Sequence, residues 1–416
     1  MLCVSSSESV HPPVWQSPHG RPLPVPGGRT LVMGILNVTP DSFSDGGQLL
    51  SAQAVVDRAG TMLAEGADVL DVGGESTRPG GAPVSAVEEC ERVLPALAAL
   101  RRAFPDAPIS IDTYKAEVAA AAVQAGADIV NDIWGCLHGW TAEDRGRIAR
   151  LLAEQAGKPA LPPKIPGSIR RSEEAAEERR HVSRSLAEQA GKPALLSASH
   201  HNVRQSGEAA EERWHVARLL AEQAGKPALL PTSPEKDRDP DDAPEDHSDF
   251  AAVFQRARLV ANWPRSPMAE SVAALRCPVI LMHNRPDRDY GDFWTDLMLD
   301  LGLSLAVAGG AGVADHQIWL DPGFGFAKDP PHNLEVLKHL DRIVELGCPV
   351  LLGTSRKSTI GLVLGSPVNE RLDGTGATIV WGIQQGCRMV RVHDVAAMLR
   401  FVRIADAMKA GIAWKA

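Results

Sequence analysis

The chain has 416 residues, 44% of them hydrophobic, enough for one large domain with an extension. A formal charge of -9 argues against a polyanion as main partner, because neutralising phosphates takes clustered Lys and Arg; no nucleic acid is expected. The six cysteines lack CxxC spacing, which argues against zinc and for a reduced cytoplasmic chain. Residues 1–29 read as a flexible segment without the apolar run of an export signal or a membrane span.

Residues 33–47 read MGILNVTPDSFSDGG, an apolar run that stops at Asn37 and opens into a polar loop. Such a run suits a strand buried on both faces, and the Pro, Asp, Ser and Gly that follow favour turns. The pattern recurs, predicting eight strands: 30–38, 67–75, 108–112, 128–133, 278–284, 317–322, 349–355 and 389–394. Helical spacing of apolar residues follows the strands, for example over 50–65, 85–102, 115–124, 333–346 and 395–409. Gly66, Gly126 and Gly347 stand where a helix must end before the next strand. Eight βα units predict an α/β fold, a closed (β/α)8 TIM barrel over 30–135 and 266–416; an open doubly wound sheet is the alternative.

Between 136 and 265 the rhythm breaks. AEQAGKPAL begins at Ala153, Ala187 and Ala221, a 34-residue period, and EAAEERRHVSRSL is echoed by EAAEERWHVARLL. Such fidelity indicates tandem duplication. Helical-hairpin repeats share this period, but each copy offers one amphipathic helix rather than two. The stretch 231–248 is dense in Pro, Asp and Glu, a composition expected to be disordered. Removing 136–265 joins NDIWG to the next helix and strand, so the segment is an insertion after strand four, expected to be a solvated appendage.

In a parallel barrel the strand C-termini converge on one face. Polar residues close every strand: Asn37; Glu75 with Thr77 and Arg78; Asp112; Asn131 with Asp132; His283 with Asn284; Asp321; Ser355 with Arg356 and Lys357; Arg391 with His393. Helix capping accounts for any one of these but not for all eight. Asp112, Asn131, Asp321 and Lys357 offer acceptors and donors suited to a flat polar heterocycle. Asn37, Arg78, Arg391 and His393 suit a phosphate group, and Arg391 and His393 share one face of their strand.

These residues stand in motifs, MGILNVTPDSFSDGG, GADVLDVGGESTRPG, SIDTYKAEVA, IVNDI, DPGFGFAK, LLGTSRKS, RLDGTGATIVWGIQQG and VRVHD, whose order resembles that of the dihydropteroate synthase family. The resemblance covers nearly all of 30–412 apart from the insertion. It implies condensation of 6-hydroxymethyl-7,8-dihydropterin diphosphate with p-aminobenzoate, releasing diphosphate and 7,8-dihydropteroate. It implies Asp112, Asn131, Asp321, Lys357 and Arg391 as pterin ligands, and Asn37, Arg78, Arg391 and His393 around the diphosphate. Phe43, Thr77, Pro79, Phe326, Ser355 and Arg356 fall in the p-aminobenzoate subsite. Loops 39–47 and 76–83 read as lids whose Asp45 and Arg78 meet on closure, and Asn37, Asp45, Arg78, Lys357, Arg391 and His393 are the expected catalytic set. The family further implies Mg2+ beside Asn37 and a homodimer. A methyltetrahydrofolate-binding methyltransferase barrel and a catalytically silent homologue are the competing readings; the full STRPG and TSRKS stretches favour the synthase.

Overall fold

The computed structural model describes residues 15–25, 28–38, 48–75, 83–141, 143–145 and 265–411. Its elements alternate as expected: β1 (Leu31–Asn37), α1 (Gln48–Glu65), β2 (Val69–Gly73), α2 (Ala86–Ala103), β3 (Ile109–Asp112), α3 (Ala116–Gln124) and β4 (Ile129–Asp132). After the insertion come α4 (Pro267–Leu275), β5 (Val279–Met282), α5 (Phe293–Gly310), β6 (Ile318–Asp321), α6 (Pro330–Lys338), α7 (Asp341–Val344), β7 (Leu351–Leu352), α8 (Ser358–Leu364), α9 (Leu372–Gln384), β8 (Met389–Val392) and α10 (Val395–Ala410). One helix expected over 333–346 is two, α6 and α7, with His339 at φ -123° and ψ 38° between them.

All strand pairs are parallel, in the order β6-β5-β4-β3-β2-β1-β8-β7. The ring closes where Leu320 bridges Val350 and its N–H donates to the Pro349 carbonyl at 3.0 Å. The fold is therefore a (β/α)8 barrel, and the open-sheet alternative falls. Gly66, Gly126 and Gly347 have φ of 103°, 113° and 84°, the left-handed turn that lets a helix stop and a strand begin. Among the described residues no helix is long and apolar enough to cross a membrane.

Period-2 alternation explains how the strands build a site. The lower interior is packed by Leu31 and Met33 of β1, Val69 of β2, Ile129 of β4, Ile280 of β5, Trp319 of β6, Leu351 of β7 and Met389 of β8. Two residues on, towards the C-terminal mouth, several of the same tracks turn polar: Asp71, Asn131, Asp321 and Arg391. A larger apolar layer lies between the strands and the helices.

Within the 1–29 segment expected to be flexible, residues 15–25 are instead anchored beneath the barrel. Trp15 is 3% exposed, its ring 4.7 Å from that of Trp319, and its Nε1–H donates to Pro24 O at 2.8 Å. Burying an indole with its donor satisfied outweighs the chain freedom that a Ser, Pro and Gly composition suggests. The insertion expected over 136–265 lies outside the described residues except for its edges, and those edges belong to the barrel. Cys136, Leu137 and Trp140 join the main core, and Ser266 Oγ–H donates to Cys136 O at 2.8 Å.

Candidate active site

At the C-terminal mouth a pocket is lined by Asp112, Asn131, Ile133, Met282, Asp321, Phe324, Phe326, Gly353, Lys357 and Arg391. All five expected pterin ligands are therefore brought together. They come from β3, β4, β6, the turn before α8, and β8, which only closure of the barrel makes neighbours.

Arg391 spans the floor. Its Nε–H donates to Asp71 Oδ2 and its Nη2–H to Asp112 Oδ2, both at 2.6 Å, and Asn131 Nδ2–H donates to Asp71 Oδ2 at 3.2 Å. The register explains this: β1 sets Met33 beside Arg391 on one edge and Ile35 beside Asp71 on the other. Burial disfavours the Arg391 charge, but Asp71 and Asp112 outweigh it and raise its pKa further. The expected anion ligand thus already holds two carboxylates, so its pull on a diphosphate is correspondingly reduced.

Asp112 is short of partners. Among the described residues its Oδ1 is buried with no hydrogen bond, as is Asp71 Oδ1. Burial lifts the Asp112 pKa to about 7, with Arg391 opposing and Asp71 adding to the rise. Asp321 accepts the Gly323 N–H at 2.7 Å, and burial lifts it to about 6 against that bond and the Lys357 charge. Lys357 Nζ stands 4.1 Å from the Phe326 ring centroid, a cation–π contact that fixes both groups at the rim. A buried acceptor left wanting a donor, beside Asp321 and Asn131, suits a ligand that presents N–H groups.

On the neighbouring rim, Ser355 Oγ lies 2.9 Å from His393 Nδ1 and accepts the His393 backbone N–H at 3.2 Å. One residue expected at the aminobenzoate subsite and one at the diphosphate subsite thus touch. Arg356 is not among the residues that line the pocket: its φ is 57°, and Nε and Nη2 donate to the Asp394 carboxylate at 2.8 and 2.5 Å. Asn37 closes β1, and both its Oδ1 and Asp112 Oδ2 lie 3.6 Å from where a Cβ on Gly73 would stand. Phe43, Asp45, Thr77, Arg78 and Pro79 lie outside the described residues. Sequence reading passed over Asp71 and Lys328. Asp71 was detectable as the lone charge in the inward track of β2, two residues before Gly73.

A parallel barrel whose mouth carries two buried carboxylates, one of them short of a partner, with an amide and a lysine around one pocket has the form of an enzyme for a polar, N–H-bearing ligand. The pterin-binding enzyme family model matches residues 33–194 and 263–393. Dihydropteroate synthase of Bacillus subtilis is 36% identical over 380 residues, 91% of this chain and 89% of that protein. The structure of dihydropteroate synthase from Clostridium difficile, solved in the presence of pteroic acid, aligns with a TM-score of 0.59 at 31% identity, covering 92% of this chain and 98% of that one. That of Xanthomonas albilineans with 4-aminobenzoic acid aligns with a TM-score of 0.58 at 29% identity, covering 92% and 94%. The chain belongs to the pterin-binding enzymes and, among them, to the dihydropteroate synthase family.

Proposed function

We propose that this protein joins 6-hydroxymethyl-7,8-dihydropterin diphosphate to p-aminobenzoate in folate biosynthesis, giving 7,8-dihydropteroate and diphosphate. The observation that carries the reading is a buried carboxylate with an unpartnered oxygen, Asp112, on the wall of a pocket that Asp321, Asn131 and Lys357 also line. The pterin's guanidine-like edge presents parallel N–H groups, and a carboxylate accepts two of them at once. Asp321 takes that edge, Asp112 and Asn131 take its neighbours, and Lys357 donates to the ring's acceptors. Arg391 is assigned chiefly to holding Asp112 in orientation, given the two carboxylates it already binds.

The methylene carbon loses diphosphate, the C–O electrons leaving with the oxygen, and the aniline nitrogen then forms the new C–N bond and sheds a proton. The pterin ring stabilises the developing cation, so no protein nucleophile is required. The protein's contribution is orientation and charge. Phe326 flanks the amine's ring; Ser355, held by His393, meets its carboxylate; Phe43, Thr77, Pro79, Asp45 and Arg78 are assigned to the closing loops. Asn37 and His393 face the diphosphate.

Mg2+ takes oxygen ligands and keeps several waters, so a single amide oxygen suffices on the protein side. Asn37 fits, its Oδ1 flanking Gly73 together with an Asp112 oxygen. When bound there, Mg2+ neutralises charge on the departing diphosphate. A homodimer is supported by Trp381 on α9 and Ile404 and Met408 on α10, about half or more exposed. A cytoplasmic location is supported by the absence of disulfides among the described cysteines. Mixing both substrates with Mg2+ and measuring diphosphate and dihydropteroate tests the reading. Diphosphate without dihydropteroate, or neither product, would sink it.

A further inference from the structure

The loop after β6 carries one group for each substrate, Asp321 at its base and Phe326 near its end. Its backbone turns left-handed three times: Gly323 and Gly325, at φ of 66° and 83°, do so freely, but Ala327, at φ 47°, carries a Cβ in a region L-residues avoid. Something must hold it. Lys328, 2% exposed, lies behind the loop with its Nζ 2.7 Å from His283 Nδ1, 3.1 Å from Gly323 O and 3.2 Å from Phe326 O. An ammonium has three N–H donors, and here are three acceptors. For Nδ1 to accept, the imidazole proton must sit on Nε2, which faces Asp300 Oδ2 at 3.2 Å. Arg285 Nε–H donates to the same oxygen at 2.5 Å. The loop also rests directly on β5's end, since a Cβ on Gly323 would come within 1.9 Å of His283 O. Neither Lys328 nor His283 lines the pocket.

We propose that Lys328 is a positioning residue for both substrates: its ammonium, oriented by the His283–Asp300 pair, ties down Gly323 O and Phe326 O and thereby sets Asp321 for the pterin and Phe326 for the aminobenzoate. This rests on the synthase reading above. Burial draws the Lys328 pKa down to about 7, with Asp321 and Asp300 opposing and Arg285 and Lys357 adding. Burial and the facing Lys328 draw His283 to about 4, so it stays the neutral acceptor. These groups come from β6, α5, the turn after β5 and the turn before α8. The tie therefore loosens as pH rises, when the amine keeps only two donors.

Three full-length variants test this, with folding read from thermal unfolding. Lys328→Met retains length and removes every donor. Its pterin diphosphate affinity by calorimetry and its kcat/KM for p-aminobenzoate are both expected to fall about tenfold or more. A folded variant with both values near wild type overturns the proposal. His283→Leu removes the acceptor, whereas His283→Asn keeps one near the Nδ1 position. The alkaline limb of the kcat/KM profile should move to lower pH by about half a unit or more in the first and stay in place in the second. Limbs that move equally, or not at all, overturn the proposal even if Lys328→Met does not fold. Wild-type protein that neither binds pterin diphosphate nor releases diphosphate overturns the synthase reading; an active wild type with unaltered variants overturns the positioning role alone.

Discussion

Asp128 and Asp112 are buried carboxylates at opposite ends of one barrel, and the fold treats them in opposite ways. At the N-terminal end, Asp128 Oδ1 accepts from Ser17 Oγ and Arg21 Nε at 2.6 and 2.8 Å, while Oδ2 accepts from Arg101 Nη2 and the Ile109 N–H at 2.8 and 3.0 Å. Two cations and two neutral donors leave it complete. At the mouth, Asp112 has Arg391 on one oxygen and no partner on the other, in surroundings that push its pKa to about 7. Asp128 is satisfied wholly by the fold, whereas Asp112, on the pocket wall, is left short, and the structure bears the desolvation cost until a ligand arrives. Both ends are equally dry, so burial alone does not tell a site from a staple.

The sharpest way to break this contrast is at Asp321. Replacing it by Asn puts an N–H against the pterin's own N–H groups, and loss of two charge-assisted bonds should lower kcat/KM by about 100-fold or more. The melting temperature should hold or rise, because a buried carboxylate is removed. A large fall in melting temperature with kinetics intact would make Asp321 a structural residue and erase the comparison. The mirror experiment is Asp128→Ala. It strands Arg101 and Arg21, and breaking a buried pair costs about 3–5 kcal/mol, or about 5 °C of melting temperature in a protein of this size. Steady-state constants at 20 °C should stay within about twofold of wild type.

A smaller effect separates the two ends by pH. Asp112 and Asp321, at about 7 and about 6, hold protons in the open site at pH 6, whereas bound pterin N–H groups favour the ionised forms. Binding should therefore release up to about one and a half protons near pH 6 and few at pH 8, read by calorimetry in buffers of different ionisation enthalpy. The sign for folding is the reverse of the usual carboxylate case. Between the ordinary value of 3.8 and about 7 the folded chain binds more protons at Asp112 than the unfolded one, so its stability contribution falls as pH rises through that window. Asp112→Asn should flatten that decline in thermal scans; an unchanged slope would mean that Asp112 does not titrate there.

How far each end was legible follows from where its residues lie along the chain. Asn37, Asp112, Asn131, Asp321 and Lys357 were readable because each ends an apolar run, and a parallel barrel sends all such ends to one place. Asp71 was not, because it sits inside its strand and its partner Arg391 is 320 residues away, adjacent only once β1 stands between β2 and β8. Trp15 and Asp128 were hidden for a similar reason. The composition of 1–29 suggests freedom, and nothing local shows that Asp128 of the β4 entry awaits Ser17 and Arg21. The Lys328–His283 contact was visible only as the DPGFGFAK motif and a strand ending in His283 and Asn284, with no hint that the loop sits on that strand's end.

The smallest expected effect concerns the insertion, which leaves the barrel at the mouth rather than at the stapled end. A cut at Cys136 would remove Leu137 and Trp140 from the core and the acceptor that Ser266 uses. It would also remove Arg145, whose Nη1 is 3.4 Å from Asp300 Oδ1, and so disturb the network behind the β6 loop. The informative deletion instead replaces residues 146–264 with a short Gly-Ser linker. If the repeats are a solvated appendage, kcat/KM for both substrates should stay within about threefold and the melting temperature within about 3 °C, since a long loop adds closure entropy only slowly with length. A fall of about tenfold or more in pterin affinity, with the melting temperature held, would instead make the repeats part of the mouth. The boundary between fold and appendage would then have to move into the repeats themselves.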